Sequence, residues 1–244
     1  MIEVAHTRLT WLGGQMGEHV TFTANGGTCE GYLATPASGS GPGVIVVQEW
    51  WGLVPHITHL ADRFAAAGYV ALAPDFYHGI STTEPDEAMR LLMSLAMDRA
   101  AHDLSGAADY LGGRSDVVSH EIAAVGFCMG GSLSLWSATL APNIVLAVGL
   151  YPAMPWQAMN PDWSGYAGKT AVIHCSEEDG TSAAEGIVTA VAGIEAAGGS
   201  VTVYDYPGTH HAFFNDTRPE VYDAAASTLA WDRTLASLSG RLAG

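Results

Sequence analysis

A chain of 244 residues with 48% hydrophobic content can bury one sizeable core, and no run approaches the roughly 18 consecutive apolar residues that a membrane-spanning helix needs. Nine Lys and Arg against 25 Asp and Glu give a formal net charge of −16, a field that repels nucleic acid and acidic membrane surfaces and favours a small-molecule partner. Cys29, Cys128 and Cys175 are odd in number and widely spaced, which makes neither a disulfide framework nor a zinc site and fits a reducing cytoplasm.

Met1 to Val20 carries Glu3, Arg8 and Glu18 in place of a basic start followed by an apolar segment, so no export signal is expected. Val20, Phe22 and Ala24 alternate with polar residues, Asn25-Gly26-Gly27 offers a turn, and Cys29 to Ala34 returns: an antiparallel hairpin. From Val44 the pattern changes. The runs 44–47, 69–73, 122–125, 145–150, 171–173 and 201–203 are short and almost wholly apolar, as strands covered on both faces are. Helical segments fall between them. Ile57, Leu60, Ala61 and Phe64 share one face and stop at Gly68, and Ile187, Val191 and Ile194 stop at Gly198-Gly199. Between Glu84 and Gly113 we expect two helices, with Leu91, Leu92 and Leu95 turned inward. A last helix is expected from about Pro219, burying Val221, Ala225, Leu229, Leu235 and Leu238. Strand and helix alternate from residue 44 onward, so one α/β domain over residues 1–244 is expected, with a mainly parallel sheet and helices on both faces. Residues just past the carboxyl ends of such strands line the site.

Those strand ends deliver few polar residues. The run 122–125 feeds Gly126-Phe127-Cys128-Met129-Gly130-Gly131, after which Leu133, Trp136 and Leu140 recur at helical spacing. Glycines around a sharp strand-to-helix turn permit the strained backbone of a nucleophile elbow, with Cys128 at its tip and a helix N-terminus favouring negative charge beside it. Alone, the motif also suits a buried structural cysteine. The first parallel strand ends in Gln48-Glu49-Trp50-Trp51-Gly52, the 171–173 strand runs into Glu177-Glu178-Asp179-Gly180, and the 201–203 strand runs into Tyr206-Pro207-Gly208-Thr209-His210-His211-Ala212-Phe213-Phe214. Nucleophile, acid, then histidine is the chain order of the α/β-hydrolase triad. A thiol attacks a carbonyl as the thiolate, so it needs a neighbouring base, and the base needs a carboxylate to hold its tautomer. Backbone N–H groups of Met129 and Trp50 are the candidates for holding the oxyanion.

Through Val47-Gln48-Glu49, the cysteine elbow, the acid of Glu177-Glu178-Asp179 and the loop from Tyr206 to Phe213, the chain resembles the dienelactone hydrolase family over roughly residues 20 to 240. The resemblance implies an α/β-hydrolase fold with an N-terminal antiparallel hairpin. It also implies hydrolysis of a small lactone or carboxylic ester, as by a carboxymethylenebutenolidase, through a thioester and without a cofactor or metal. By the same resemblance Cys128 is the nucleophile, His211 its base and Asp179 the orienting acid, and Glu49 contacts the resting thiol. His210 stands where the family usually has Gly. Asn215 stands where founding members carry a carboxylate-binding arginine, with Arg218 the base nearest the histidine loop.

Trp50, Trp51, Phe213, Phe214 and Tyr77 are candidate pocket residues and suggest an apolar or aromatic acyl group. Glu177 and Glu178 are expected to be solvated, Cys29 and Cys175 to be core residues, and Asp75 to serve a turn. His56, His59 and Asp62 share helical spacing and are expected on a polar outer face in preference to a metal site. The rival to a hydrolase is a ligand-binding or thiol redox-sensing protein on the same fold. A nucleotide-dependent oxidoreductase is disfavoured because Glu49-Trp50-Trp51 stands where Gly-x-Gly-x-x-Gly is required. A monomer or homodimer is expected.

Overall fold

Five of the six apolar runs become inner strands of one eight-stranded sheet, and the sixth, 201–203, lies in a half-exposed strand at its edge, in a computed structural model that describes residues 17–24 and 27–242. The strands are β1 (Gly17–Ala24), β2 (Gly27–Ala34), β3 (Gly41–Val47), β4 (Val70–Pro74), β5 (Val117–Phe127), β6 (Ile144–Leu150), β7 (Thr170–Ser176) and β8 (Ser200–Tyr206). Their order across the sheet is β1-β2-β4-β3-β5-β6-β7-β8. β1 pairs antiparallel with β2, and β2 antiparallel with β4; every pairing from β4 to β8 is parallel. The hairpin therefore forms as expected. Its turn residues Asn25 and Gly26, and the N-terminal stretch 1–16 read for an export signal, lie outside the described residues.

Side chains alternate across a strand, so each inner strand feeds two cores. Val44 and Val46 of β3 face one side, where α1 (Pro55–Ala66) supplies Ile57, Leu60 and Phe64 and α7 (Ala224–Leu242) supplies Ala230 and Leu238. Ile45 and Val47 face the other, where α3 (Met97–Gly112) brings Leu104 and Leu111, α4 (Met129–Leu140) brings Leu133 and Leu135, and α6 (Glu185–Ala196) brings Ile187 and Ile194. Each such side chain contributes about 1.5–3 kcal/mol on full burial. Among the described residues, no helix is long and apolar enough to cross a membrane.

Two helices differ from expectation. α7 begins at Ala224, where the Asp223 carboxylate accepts the Ala226 N–H at 2.8 Å, and not at Pro219. Its inward face is Ser227, Ala230, Thr234, Leu238 and Leu242, while Leu229 is 45% exposed. Two of those residues are polar: the Ser227 hydroxyl donates to the Phe213 carbonyl at 2.9 Å, and Thr234 Oγ1 lies 3.3 Å from His174 Nε2. A buried face that satisfies its hydroxyls escapes a hydrophobic pattern. In α2 (Pro85–Ser94) the buried residue is Ala88; Leu91, Leu92 and Leu95 are only half-buried, because this helix lies at the mouth of the cleft described below.

On α1, His56 and Asp62 are buried instead of forming an outer polar face. Asp62 accepts the Tyr32 hydroxyl at 2.8 Å, and His56 Nδ1 lies 3.4 Å from an Asp216 oxygen. Asp75 serves the turn after β4, taking the Tyr77 and Gly79 N–H groups at 3.0 and 2.6 Å.

Candidate active site

The strand β5 runs straight into α4, and Cys128 between them has φ 54° and ψ −118°. Positive φ in a residue with a Cβ is costly, about 1–3 kcal/mol, and its surroundings hold it there. The Cys128 N–H donates to the Leu150 carbonyl at 3.0 Å, and the Cys128 carbonyl accepts from Gly131 at 2.9 Å and Ala153 at 3.2 Å. The glycines make the turn possible by absence of bulk: a Cβ on Gly126 would lie 1.9 Å from the Gly130 carbonyl oxygen, and one on Gly130 2.3 Å from that of Gln48. The second contact also shows how closely the end of β3 approaches the elbow. Trp50 follows two residues past Gln48 and lines one cleft with Cys128, and Met129 is the first residue of α4.

His211 comes from the loop after β8. Its Nδ1 is 2.9 and 2.8 Å from the two Asp179 oxygens, and it lines the same cleft as Cys128. Tyr151 supports the ring edge-on, with centroids 5.1 Å apart. Burial lowers the proton affinity of this imidazole. The hydrogen bond to Asp179 and those with Cys128 and their charges outweigh it, and the histidine is raised to about 10. His210 points elsewhere: its side chain is 64% exposed and lies 3.4 Å from Glu178. Asp179 is held in turn by the Ser176 hydroxyl and returns its own N–H to Ser176 Oγ at 3.3 Å.

Four residues that brace this arrangement were not expected to do so. Glu177 accepts the Gly208 N–H and Glu178 accepts the His211 N–H at 2.7 Å, so the two acids tie the histidine loop to the acid loop and are not merely solvated. Tyr151 and Asn215, both buried, donate to Glu49 at 3.3 and 2.8 Å. Both Glu49 oxygens are thus engaged. A run of three acids before a glycine and a polar residue just past the β6 terminus were the available signals. What they bind depends on loops meeting across the sheet.

Glu49, Trp50, Trp51, Cys128, His211 and Arg218 face a cleft of about 210 Å³ whose remaining wall is apolar, from Leu92, Ala153 and Ala212. Arg218 pairs with Glu220 at 2.9 Å and lies 5.9 Å from the Trp51 ring centre. Trp51 and Arg218 also border a neighbouring groove of about 520 Å³. Three expected pocket residues lie elsewhere. Ala212, at φ 65°, turns the chain inward, so Phe213 packs on Tyr151 and Tyr206, and Phe214 on Phe127 and Trp231. The Tyr77 hydroxyl donates to Met129 Sδ at 3.3 Å, under the elbow. Its neighbourhood is apolar enough to push the phenol well above its ordinary range, by burial first and then the nearby Cys128.

The profile of the dienelactone hydrolase family matches residues 29–241. "Protein usf" of Aquifex pyrophilus is 34% identical over 227 residues, covering 91% of this chain and 97% of its own length. A protein of Aquifex aeolicus (strain VF5) that carries the provisional name carboxymethylenebutenolidase is 30% identical over 230 residues, covering 89% and 95%. Among solved structures, a dienelactone hydrolase-like promiscuous phosphotriesterase from metagenomic libraries superposes with a TM-score of 0.78 at 21% identity, over 92% of this chain and 98% of its own.

Proposed function

The chain belongs to the dienelactone hydrolase family, hydrolases of carboxylic esters and lactones on the α/β-hydrolase fold, and on that premise we propose that this member works through Cys128 and a thioester intermediate. The observation that carries the proposal is one imidazole, His211, bonded through Nδ1 to Asp179 and facing the sulfur of a residue on a strained turn. In the first half-reaction the Cys128 sulfur bonds to the carbonyl carbon, and the C=O electron pair moves onto oxygen between the Met129 and Trp50 N–H groups. Collapse breaks the C–O bond, and the His211 imidazolium protonates the departing alkoxide. In the second, His211 takes a proton from water, the hydroxide adds to the thioester, and the thiolate leaves.

Substrate follows from the cleft. Its small volume and apolar wall suit a compact apolar or aromatic acyl group, and the charge of Arg218 is already met by Glu220. Neutral aryl esters and small lactones are therefore the expected substrates, in a molecule that acts in the cytoplasm. An activated aryl ester should give a burst of one leaving group per chain before the steady state. Cys128→Ala should abolish the burst and lower turnover by at least about 10³-fold. Reversible oxidation of Cys128 with no burst and no turnover on a panel of lactones, aryl esters and thioesters would instead identify a thiol sensor.

A further inference from the structure

Hydrolysis leaves unused a cluster drawn from three distant segments: Cys29 on β2, His78 in the turn after β4 and Asp103 on α3. Among the described residues these three each offer one ligating atom, all within 4.8 Å of one another. His78 Nε2 is 2.9 Å from Asp103 Oδ2, and the Cys29 thiol donates to the carbonyls of Glu30 and Asp75 at 3.3 and 3.7 Å. Cys29 and Asp103 are 0% and 3% exposed, while the His78 side chain is 21% exposed and opens the cluster to solvent. We propose that Cys29, His78 and Asp103 bind a divalent transition-metal ion of the zinc class.

The donor set is the first reason. One thiolate, one imidazole and one carboxylate are the three ligand types that zinc takes, and three protein ligands leave a fourth position open to solvent. The geometry is the second. Tetrahedral zinc with bonds of about 2.0–2.3 Å separates its ligand atoms by roughly 3.3–3.6 Å. The cluster brackets that spacing from 2.9 to 4.8 Å, so a shift of a side-chain torsion reaches it. The third is the placement of His78. Its backbone sits at φ 51°, followed by Gly79 at φ 94°, in a turn clamped by the Asp75 carboxylate. Histidine accepts positive φ more readily than most residues with a Cβ, and the turn presents its imidazole to Asp103.

On binding, the ion gains bonds from the Cys29 sulfur, the His78 Nε2 lone pair and an Asp103 oxygen. The thiol proton goes to solvent, the proton of the His78 Nε2–Asp103 hydrogen bond goes to solvent or is replaced by one on His78 Nδ1, and no oxidation state changes. The site was invisible as a motif because its ligands are scattered along the chain, and Cys29, a core residue as expected, would take on a second role in it.

The test is a titration of the metal-free full-length chain with Co²⁺, followed at the sulfur-to-cobalt charge-transfer band and the visible bands of tetrahedral cobalt. Since Cys128 is a rival thiol, it is repeated on Cys128→Ala. We expect one equivalent to bind in both proteins, Zn²⁺ to bleach the signal, and Cys29→Ala to remove the band while keeping esterase activity. Asp103→Asn and His78→Gln, made in the Cys128→Ala protein, should weaken binding by more than the roughly 10-fold that loss of even an outer-shell partner costs. These two variants decide the matter if Cys29→Ala does not fold. No charge-transfer band in the wild type, a band that survives Cys29→Ala, a band that vanishes with Cys128→Ala, or unchanged affinity in Asp103→Asn and His78→Gln would overturn the proposal.

Discussion

Glu49 is a buried carboxylate with two neutral donors, Tyr151 and Asn215, and it shares with Cys128 an upward pull on the Tyr151 phenol, which burial raises first. Glu49 and Cys128 line one cleft, where a charged Glu49 would oppose a forming thiolate. Glu49→Gln removes a like charge from beside a forming thiolate, so alkylation of Cys128 by iodoacetamide should extend to lower pH. The amide would also set its N–H against the Asn215 N–H or the Tyr151 O–H, a loss of about 1–3 kcal/mol read as a lower Tm. His211 makes a separate prediction. Its proton is held to about 10 in the fold against about 6.5 in the unfolded chain, so it adds stability in full below about 6.5 and loses it as pH rises through about 10. The gap in Tm between wild type and His211→Gln should narrow from pH 6 to pH 10. A gap that widens would show that the imidazole is neutral in the fold. At this scale a cysteine elbow, an acid and a histidine at successive strand ends could be read from residue type and order, while the choice of Asp179 among three acids and of His211 over His210 came from the family resemblance. The partners of Glu49, Glu177 and Glu178 could not, because a carboxylate looks the same in sequence whether water or a distant N–H satisfies it.

Elements are read from periodicity, and periodicity fails where polar residues are buried with partners. α7 illustrates this. Leu229 was expected inside and is 45% exposed; Ser227 and Thr234 take the inward positions because the Phe213 carbonyl and His174 receive them. His174 itself is buried beside the Tyr206 hydroxyl at 2.7 Å and is lowered to about 3, by burial and then Arg233, so it stays neutral. Leu238→Ala should cost about 2–5 kcal/mol in urea unfolding, whereas Leu229→Ala should stay within about 0.5 kcal/mol. Equal losses would restore the face predicted from sequence. The strands were far more legible, since residues covered on both sides must be apolar at every position.

For the molecule as a whole, a formal net charge of −16 opposes the approach of anions to a cleft whose arginine is already paired. Raising ionic strength from about 0.01 to 0.15 M shortens the Debye length from about 30 to 8 Å. The kcat/KM for an anionic lactone should rise several-fold over that range, and that for a neutral aryl ester should stay level. A neutral ester with the same salt dependence would place the effect on the protein and not on the encounter. Fold class, strand positions and the family were determined by the sequence alone, because buried strands and a glycine-framed turn leave local, short-range marks in it. Which carboxylate meets which donor, that Phe213 and Phe214 turn into the core, and that Cys29, His78 and Asp103 share one spot were decided only by tertiary structure. Those contacts join residues far apart along the chain, and nothing in the local pattern records which distant surface a side chain will face.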